Sequence, residues 1–159
     1  KEEVDGLDLG FAKVVSKDLS RNLKGCHHVI VVGLTIGSEV DRLIQRASRL
    51  NPSEGYLLQA AGAACAERFA NDVNDLFKEE YKDYVLKPRY SCGYGDFDLK
   101  HQRDIFKAMP KFSSIGLTLM DTGIMAPSKS ITALIGISDV EGECYLPECD
   151  KCDECGRKL

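Results

Sequence analysis

The sequence predicts an α+β fold in which a twisted, mostly antiparallel sheet packs against helices. Two short runs rich in β-branched residues, at 29–32 and 131–138, are typical of strands, and we expect the first to be buried. Apolar residues spaced by three and four positions along 38–50 are typical of a helix with one apolar face. Strands and helices do not alternate regularly, which favours α+β over a doubly wound architecture.

Composition and charge argue against a nucleic-acid-binding protein and against a membrane-spanning one. A chain of 159 residues suits a single domain, and a net charge of -4 without a basic run argues against nucleic-acid binding. The longest apolar stretch, 29–36, is too short to span a bilayer, so we expect no membrane partner. No cationic segment followed by an apolar one opens the sequence, so a secretory signal is not indicated and the expected location is cytoplasmic.

The first half of the chain predicts three helices in order. Ser16 is a suitable N-cap and Gly25 a suitable stop for a short first helix. The helix over 38–50 ends at the break Asn51-Pro52. A long helix follows, with Ser53 as its expected N-cap and an end near Tyr84. Its start is rich in small residues, which predicts close packing against another helix or the sheet.

The second half predicts one helix and two strands. The helix covers 98–109, with Leu99, Ile105, Phe106 and Met109 directed inward. Strands are expected at 114–119 and 131–138, joined by a turn-rich connection. Because these two strands are neighbours in sequence, they could pair as a hairpin.

The apolar periodicity stops after Ser138. We therefore expect a folded domain over residues 1–138 and a cysteine-rich tail over 139–159. The tail carries four cysteines in the pattern C-x4-C-x2-C-x2-C: Cys144, Cys149, Cys152 and Cys155. Four thiolates at this spacing can bind Zn²⁺ or an iron–sulfur cluster. A reduced tail without metal is the alternative, because neighbouring acidic residues raise thiol pKa values.

A glycine loop between two predicted elements is the main candidate for a ligand site. Glycine accepts positive φ and lets a ligand approach bare backbone, as Gly93 and Gly95 would allow. The planar fork of Arg89 suits a carboxylate or phosphate. No phosphate-loop pattern is present, so an amino acid or its nucleoside conjugate fits better. On these residues alone, a glycine-rich turn with a surface arginine is the more common explanation.

Residues 89–106, RYSCGYGDFDLKHQRDIF, resemble the Arg-x-x-x-Gly-Tyr motif in the activation domain of cobalamin-dependent methionine synthase. Three further segments resemble stretches of that family in the same order: 34–48, 60–72 and 116–138. The resemblance covers 16–138, which gives it more weight than a single motif. It implies the α+β fold of the activation domain, in its stand-alone form.

The resemblance also implies a ligand, S-adenosylmethionine, and a role for each residue of the loop. Arg89 matches the family arginine that holds the ligand carboxylate. Ser91 lies where the family offers backbone to the ligand. Gly93 and Tyr94 match the Gly-Tyr pair, and Gly95 continues it. Tyr94 would then lie near the sulfonium, whose positive charge an aromatic face favours.

The implied function is reductive remethylation of cobalamin that has been oxidised to its inert cob(II) form. The family works with an electron donor and with a corrinoid held beside the activation domain. The three histidines, His27, His28 and His101, lack the Asp-x-His-x-x-Gly context that ligates cobalt. We therefore expect a corrinoid-carrying partner protein and a reductant, and no complete methionine synthase in this chain.

Two departures from the family keep other interpretations open. Asn71, followed by Asp72, stands where the methionine synthase version has an acidic residue. The family's N-terminal aspartate has no identified counterpart here. A corrinoid-handling or regulatory binding protein without methyl transfer is therefore one alternative. A small redox protein that acts through a metal in its cysteine-rich tail is another, and whether the chain is an enzyme depends on which holds.

The three remaining cysteines predict no catalysis. Cys26 and Cys65 are expected to be small core residues. Cys92 lies within the glycine loop but has no histidine close to it in sequence, so nucleophilic catalysis by Cys92 is not expected.

Overall fold

The computed structural model describes residues 6–139 and has an α+β architecture with antiparallel sheets, as the sequence predicts. The elements follow one another as β1 (Leu7–Asp8), β2 (Lys13–Val14), α1 (Lys17–Asn22), β3 (His28–Thr35), α2 (Ser38–Leu50), α3 (Pro52–Glu80), β4 (Val85–Leu86), a 3₁₀ helix (Leu99–His101), α4 (Gln102–Ala108), a second 3₁₀ helix (Pro110–Ile115), β5 (Thr118–Leu119), β6 (Met125–Ala126) and β7 (Ser130–Ser138). In this part of the chain, no helix is both long and apolar enough to cross a membrane.

The central sheet has three antiparallel strands in the order β3-β7-β4. β3 pairs with β7 along the whole length of β3, and β4 pairs with the end of the other edge of β7. β3 contains the predicted strand 29–32, but Val32 is its one buried residue because β3 lies at the edge of the sheet. The expectation of a buried strand over 29–32 is therefore confirmed for Val32, whereas Val29 and Val31 are only partly buried against the core.

The predicted hairpin between 114–119 and β7 is wrong. β5 pairs with β6, while β3 occupies one edge of β7 and the chain from β4 to Tyr90 pairs with the other edge between Leu134 and Ser138. The 3₁₀ helix Pro110–Ile115 takes up the first part of the predicted strand and ends at Gly116, whose φ is 74°. Only Thr118–Leu119 remains to form a strand, and the turn that follows leads straight into β6.

The two faces of β7 bury different elements. Thr132, Leu134 and Gly136 face one side, where the Gln102 amide of α4 donates to the Thr132 hydroxyl at 2.7 Å. Ala133 and Ile135 point to the other side, where α3 packs, and both are fully buried. The glycine loop, residues 91–95, follows β4 along the edge of the sheet.

The helix ends agree with the sequence in part. Ser16 caps α1 as predicted, and Gly25 follows it with a φ of 74°. Asn51, not Ser53, caps α3, because its side chain accepts from the backbone of Ser53 and Pro52 occupies the first helical position. α3 ends at Glu80, before the predicted Tyr84.

Small residues allow α2 and α3 to approach closely, as their sequence predicts. A Cβ atom at Gly55 would lie 2.7 Å from Ser48 Cα, so only glycine fits there. A Cβ atom at Gly62 would lie 3.2 Å from side-chain atoms of Val40 and of Lys129. Cys65 is exposed on the same helix, so the expectation of a core position for it is wrong.

The predicted helix over 98–109 begins as a 3₁₀ turn. Asp98 accepts from the backbone of Lys100 at 2.8 Å and starts that turn. A three-residue repeat places side chains differently from an α-helix, and Leu99 is 50% exposed. The inward position predicted for Leu99 is therefore wrong, whereas Ile105 is buried as expected.

Candidate functional site

The backbone on both sides of Arg89 is fixed to β7. The Lys87 amide donates to the Gly136 carbonyl at 2.8 Å. Tyr90 and Leu134 exchange two backbone hydrogen bonds, of 2.9 and 2.8 Å. The chain therefore continues along the sheet edge beyond β4, and Arg89 leaves it from a rigid position.

The Arg89 guanidinium lies against α3. Its Nη2 donates to the Asn71 side-chain oxygen at 2.8 Å, and Glu67 Oε2 lies 3.5 Å from the same nitrogen. The side chain is 22% exposed, and Nη1 is buried without a hydrogen-bond partner among the described residues. A buried N–H group without a partner costs free energy, and a carboxylate is the partner that a guanidinium binds best.

The loop after Arg89 is a compact double turn. The Gly93 amide donates to the Phe97 carbonyl at 2.7 Å, and the Phe97 amide donates to the Tyr94 carbonyl at 3.0 Å. Tyr94 in turn donates to the Ser91 carbonyl at 3.3 Å. Gly93 needs its glycine because its φ is 90°. The Tyr94 ring is 64% exposed at the outer end of the turn, while the buried Phe97 anchors the loop.

Gly95 serves the packing of the loop against α1. A Cβ atom there would lie 2.6 Å from the Tyr90 hydroxyl and in contact with the Asp18 carboxylate. Gly95 also has positive φ, at 52°. Close approach to a ligand is thus not needed to explain this glycine, although the resemblance assigns it to the ligand site.

Asp96 ties the loop to the start of α1. Its carboxylate accepts from the Ser16 hydroxyl at 2.5 Å and from the backbone of Lys17 and Asp18 at 2.7 and 3.1 Å. The Ser16 hydrogen bond and the two amide bonds hold the pKa of Asp96 below its usual value. Sequence reasoning missed this contact, because the partners are separated by about eighty residues.

Tyr90 lies between the loop and α1 and keeps its proton at neutral pH. Burial raises the pKa of its hydroxyl, and the negative charges of Asp18 and Asp96 raise it further. The hydroxyl donates to the Tyr94 carbonyl at 3.4 Å. Tyr90 therefore acts as a neutral hydrogen-bond donor that supports the loop.

Cys92 is a buried thiol without the features of a nucleophile. Burial raises its pKa to about 12, and the nearby carboxylates of Asp104 and Asp98 act in the same direction. His101 is stacked on Phe97 with ring centroids 5.7 Å apart and is bonded to Asp104 at 3.0 Å. The thiol stays protonated at neutral pH, which fits the expectation that Cys92 performs no nucleophilic catalysis.

The predicted metal ligands Cys144, Cys149, Cys152 and Cys155 lie outside the described residues. Within 6–139, no three side chains of histidine, cysteine, aspartate or glutamate are grouped so that they could hold a metal ion.

The predicted ligand residues therefore lie around the edge of the sheet. Arg89 contacts α3 on one side, and Gly95 contacts α1 on the other. Ser91, Gly93 and Tyr94 lie between them along the chain. The structure adds Glu67 and Asn71 to the group through their contacts with Arg89. A ligand that reaches both Arg89 and Tyr94 must lie across this edge.

No protein-family model matches the chain. No curated protein matches it either.

Proposed function

We propose that this chain has the fold of a methionine synthase activation domain and binds S-adenosylmethionine across the sheet edge at residues 89–95. The observation that carries the proposal is the buried Nη1 of Arg89, which has no partner among the described residues. Glu67 and Asn71 place two acceptor oxygens beside the guanidinium. A donor for a carboxylate next to acceptors for an ammonium group is the pattern that an α-amino acid requires.

The rest of the ligand would extend along the glycine loop. The Tyr94 ring is open to solvent, so a positively charged sulfonium can approach its face. Gly93 is exposed and has no Cβ atom to prevent contact with its backbone. Since the loop lies at the surface, the methyl group can remain accessible from outside.

In the proposed reaction the corrinoid is a substrate carried by another protein. One electron from a reductant converts cob(II)alamin to cob(I)alamin, whose electron pair displaces the methyl group of S-adenosylmethionine. The products are methylcobalamin and S-adenosylhomocysteine. The residues of this chain bind and orient the methyl donor: Arg89 fixes the carboxylate end, and the loop fixes the position of the sulfonium.

A second candidate function follows from the side chain beside Arg89. Asn71 is neutral, whereas the resembled family has an acidic residue at that position. A neutral oxygen binds the ligand ammonium less strongly than a carboxylate does. A corrinoid-handling or regulatory binding protein without methyl transfer would not require a higher affinity for the ligand. In that case S-adenosylmethionine would bind without speeding the formation of methylcobalamin.

Calorimetric titration with S-adenosylmethionine tests the site. Arg89→Gln should weaken binding by about 1.5–3 kcal/mol, the range for a hydrogen bond to a charged group, which is roughly a tenfold to hundredfold rise in Kd. Arg42→Gln is the matched control, because Arg42 is exposed on α2 and pairs with Glu39.

A ligand lacking the carboxylate, decarboxylated S-adenosylmethionine, identifies the contact. It should bind the wild-type chain more weakly than S-adenosylmethionine, and Arg89→Gln should leave its affinity unchanged. Equal affinity of wild type and Arg89→Gln for S-adenosylmethionine, with the fold intact, would refute the assignment.

A further inference from the structure

A cleft lies away from the glycine loop. It has a volume of about 460 Å³ and is bounded by α4, the 3₁₀ helix Pro110–Ile115 and the chain through β5. Small-molecule sites in proteins occupy roughly 300–1,000 Å³, so the cleft is large enough for one. None of its lining residues belongs to 87–98, and it is therefore distinct from the proposed S-adenosylmethionine site.

The walls of the cleft are apolar and held by the core. Phe106 and Phe112 meet edge to face, with ring centroids 5.4 Å apart and an angle of 78° between the rings. Phe112 and Leu117 are almost fully buried, and Met109 and Leu119 complete the apolar lining. Aromatic pairs in this geometry are favourable, so the surface is preformed for a flat or aliphatic body.

The charged groups at the cleft favour an anion. Arg103 and Lys107 line it against one acidic residue, Asp121. The Arg103 guanidinium donates to the Asp121 carbonyl at 2.5 Å and so holds the turn after β5 in place. Lys107 makes no hydrogen bond or ion pair with the residues that the structure describes. Its ammonium group is therefore available to a ligand.

The hydroxyl groups of the lining have their protons engaged within the protein. Ser113 donates to the Pro110 carbonyl at 2.8 Å, and Thr118 donates to the Ala126 carbonyl at 3.2 Å. A ligand group that needs donors must therefore find them on Lys107 and on the remaining N–H groups of Arg103.

We propose that this cleft binds a small amphiphilic carboxylate. The apolar body of the ligand rests against Phe106 and Met109, and its carboxylate accepts from the Lys107 ammonium. Burial of the body contributes most of the affinity, and Lys107 selects the anion over a neutral molecule of the same shape.

Titration of the full chain with 2-naphthoate and with its neutral analogue 2-naphthamide tests this proposal. Wild type should bind naphthoate about tenfold more tightly than naphthamide, and Lys107→Met should clearly reduce that preference, since only Arg103 then remains as a cation in the cleft. Lys111→Met is the matched control, because Lys111 is close in sequence but does not line the cleft. Saturable binding with these preferences supports the proposal. Equal affinity for the two ligands, absence of saturable binding, or an equal loss in Lys111→Met would overturn it.

Discussion

Asp96 joins the glycine loop to the first helix through three hydrogen bonds, to the Ser16 hydroxyl and to two backbone amides. The free N–H groups at a helix start favour a negative charge, so Asp96 acts as a second cap beside Ser16. This contact fixes the loop that carries Gly93 and Tyr94. The residue that supports the candidate site is thus different from the residues that would touch a ligand.

Asp96→Asn should lower the melting temperature at pH 7. The folded-state pKa of Asp96 lies below its unfolded value, so its stabilisation is present above the unfolded pKa, near 4. The stabilisation is lost as the pH falls through the folded pKa. Thermal melts of both proteins from pH 7 to pH 3 should therefore converge at the acidic end. The exposed Asp83→Asn is the control, and a constant difference at all pH values would contradict this role for Asp96.

The sequence predicts the role of Arg89 but not the side chains that surround it. Its place before Gly93 and Tyr94 in the sequence predicts that Arg89 binds an anionic group of a ligand. Its contacts with Glu67 and Asn71 depend on where α3 runs, eighteen or more residues earlier in the chain, and no local pattern predicts them. No local pattern predicts the contact between Asp96 and Ser16 either, although the local sequence does predict that Ser16 caps α1.

At the scale of elements, the α2–α3 pair depends on two glycines that face different neighbours. At Gly55 an added Cβ atom would lie 2.7 Å from Ser48 Cα, which belongs to a helix backbone. At Gly62 it would meet only side-chain atoms, of Val40 and of the flexible Lys129, at 3.2 Å. Backbone cannot move aside as side chains can, so the two sites should respond differently to the same substitution.

Gly55→Ala should be more destabilising than Gly62→Ala. Alanine gains about 1 kcal/mol of helix propensity at either site. At Gly55 the steric cost, typically 1–3 kcal/mol for an overpacked site, should exceed that gain. At Gly62 the two effects should nearly cancel. Chemical denaturation of the two variants measures the difference, and a Gly55→Ala protein more stable than wild type would disprove the close helix contact.

The elements also show why local patterns succeeded for helices and failed for strand pairing. The Asn51-Pro52 break and the Ser16 cap act within a few residues, so sequence spacing predicts them. The partner of β5 depends on which backbone groups of β7 are already paired, and β3 together with the chain from β4 to Tyr90 pairs with most of them. That information comes from strands about ninety and thirty residues away in the chain.

At the scale of the whole molecule, the negative charge of the chain is concentrated at its C-terminal end. Residues 139–159 contain seven acidic and three basic residues, which equals the net charge of -4 for the whole protein. The rest of the chain is therefore balanced. The four cysteines predicted to bind metal lie within this acidic segment, outside the residues that the structure describes.

Metal analysis after anaerobic purification tests the prediction for these cysteines. We expect about one zinc ion or one iron–sulfur cluster per chain. Replacing Cys149 and Cys152 together by serine should remove it, because thiolates are the ligands. Cys65→Ser is the control, since Cys65 is exposed and far from the tail in sequence. Equal metal content in all three proteins, or none in the wild type, would contradict this prediction.

We propose that the whole molecule presents the methyl group of S-adenosylmethionine to a corrinoid on another protein. The most direct measurement is the visible spectrum of corrinoid-carrying proteins from the same cell, loaded with cob(II)alamin and mixed with reductant and S-adenosylmethionine. The wild-type chain and Arg42→Gln should speed the appearance of methylcobalamin, and Arg89→Gln should not. The proposal of methyl transfer is contradicted if the wild-type chain binds S-adenosylmethionine but every carrier protein gives the same spectrum over time with the wild-type chain as without the chain.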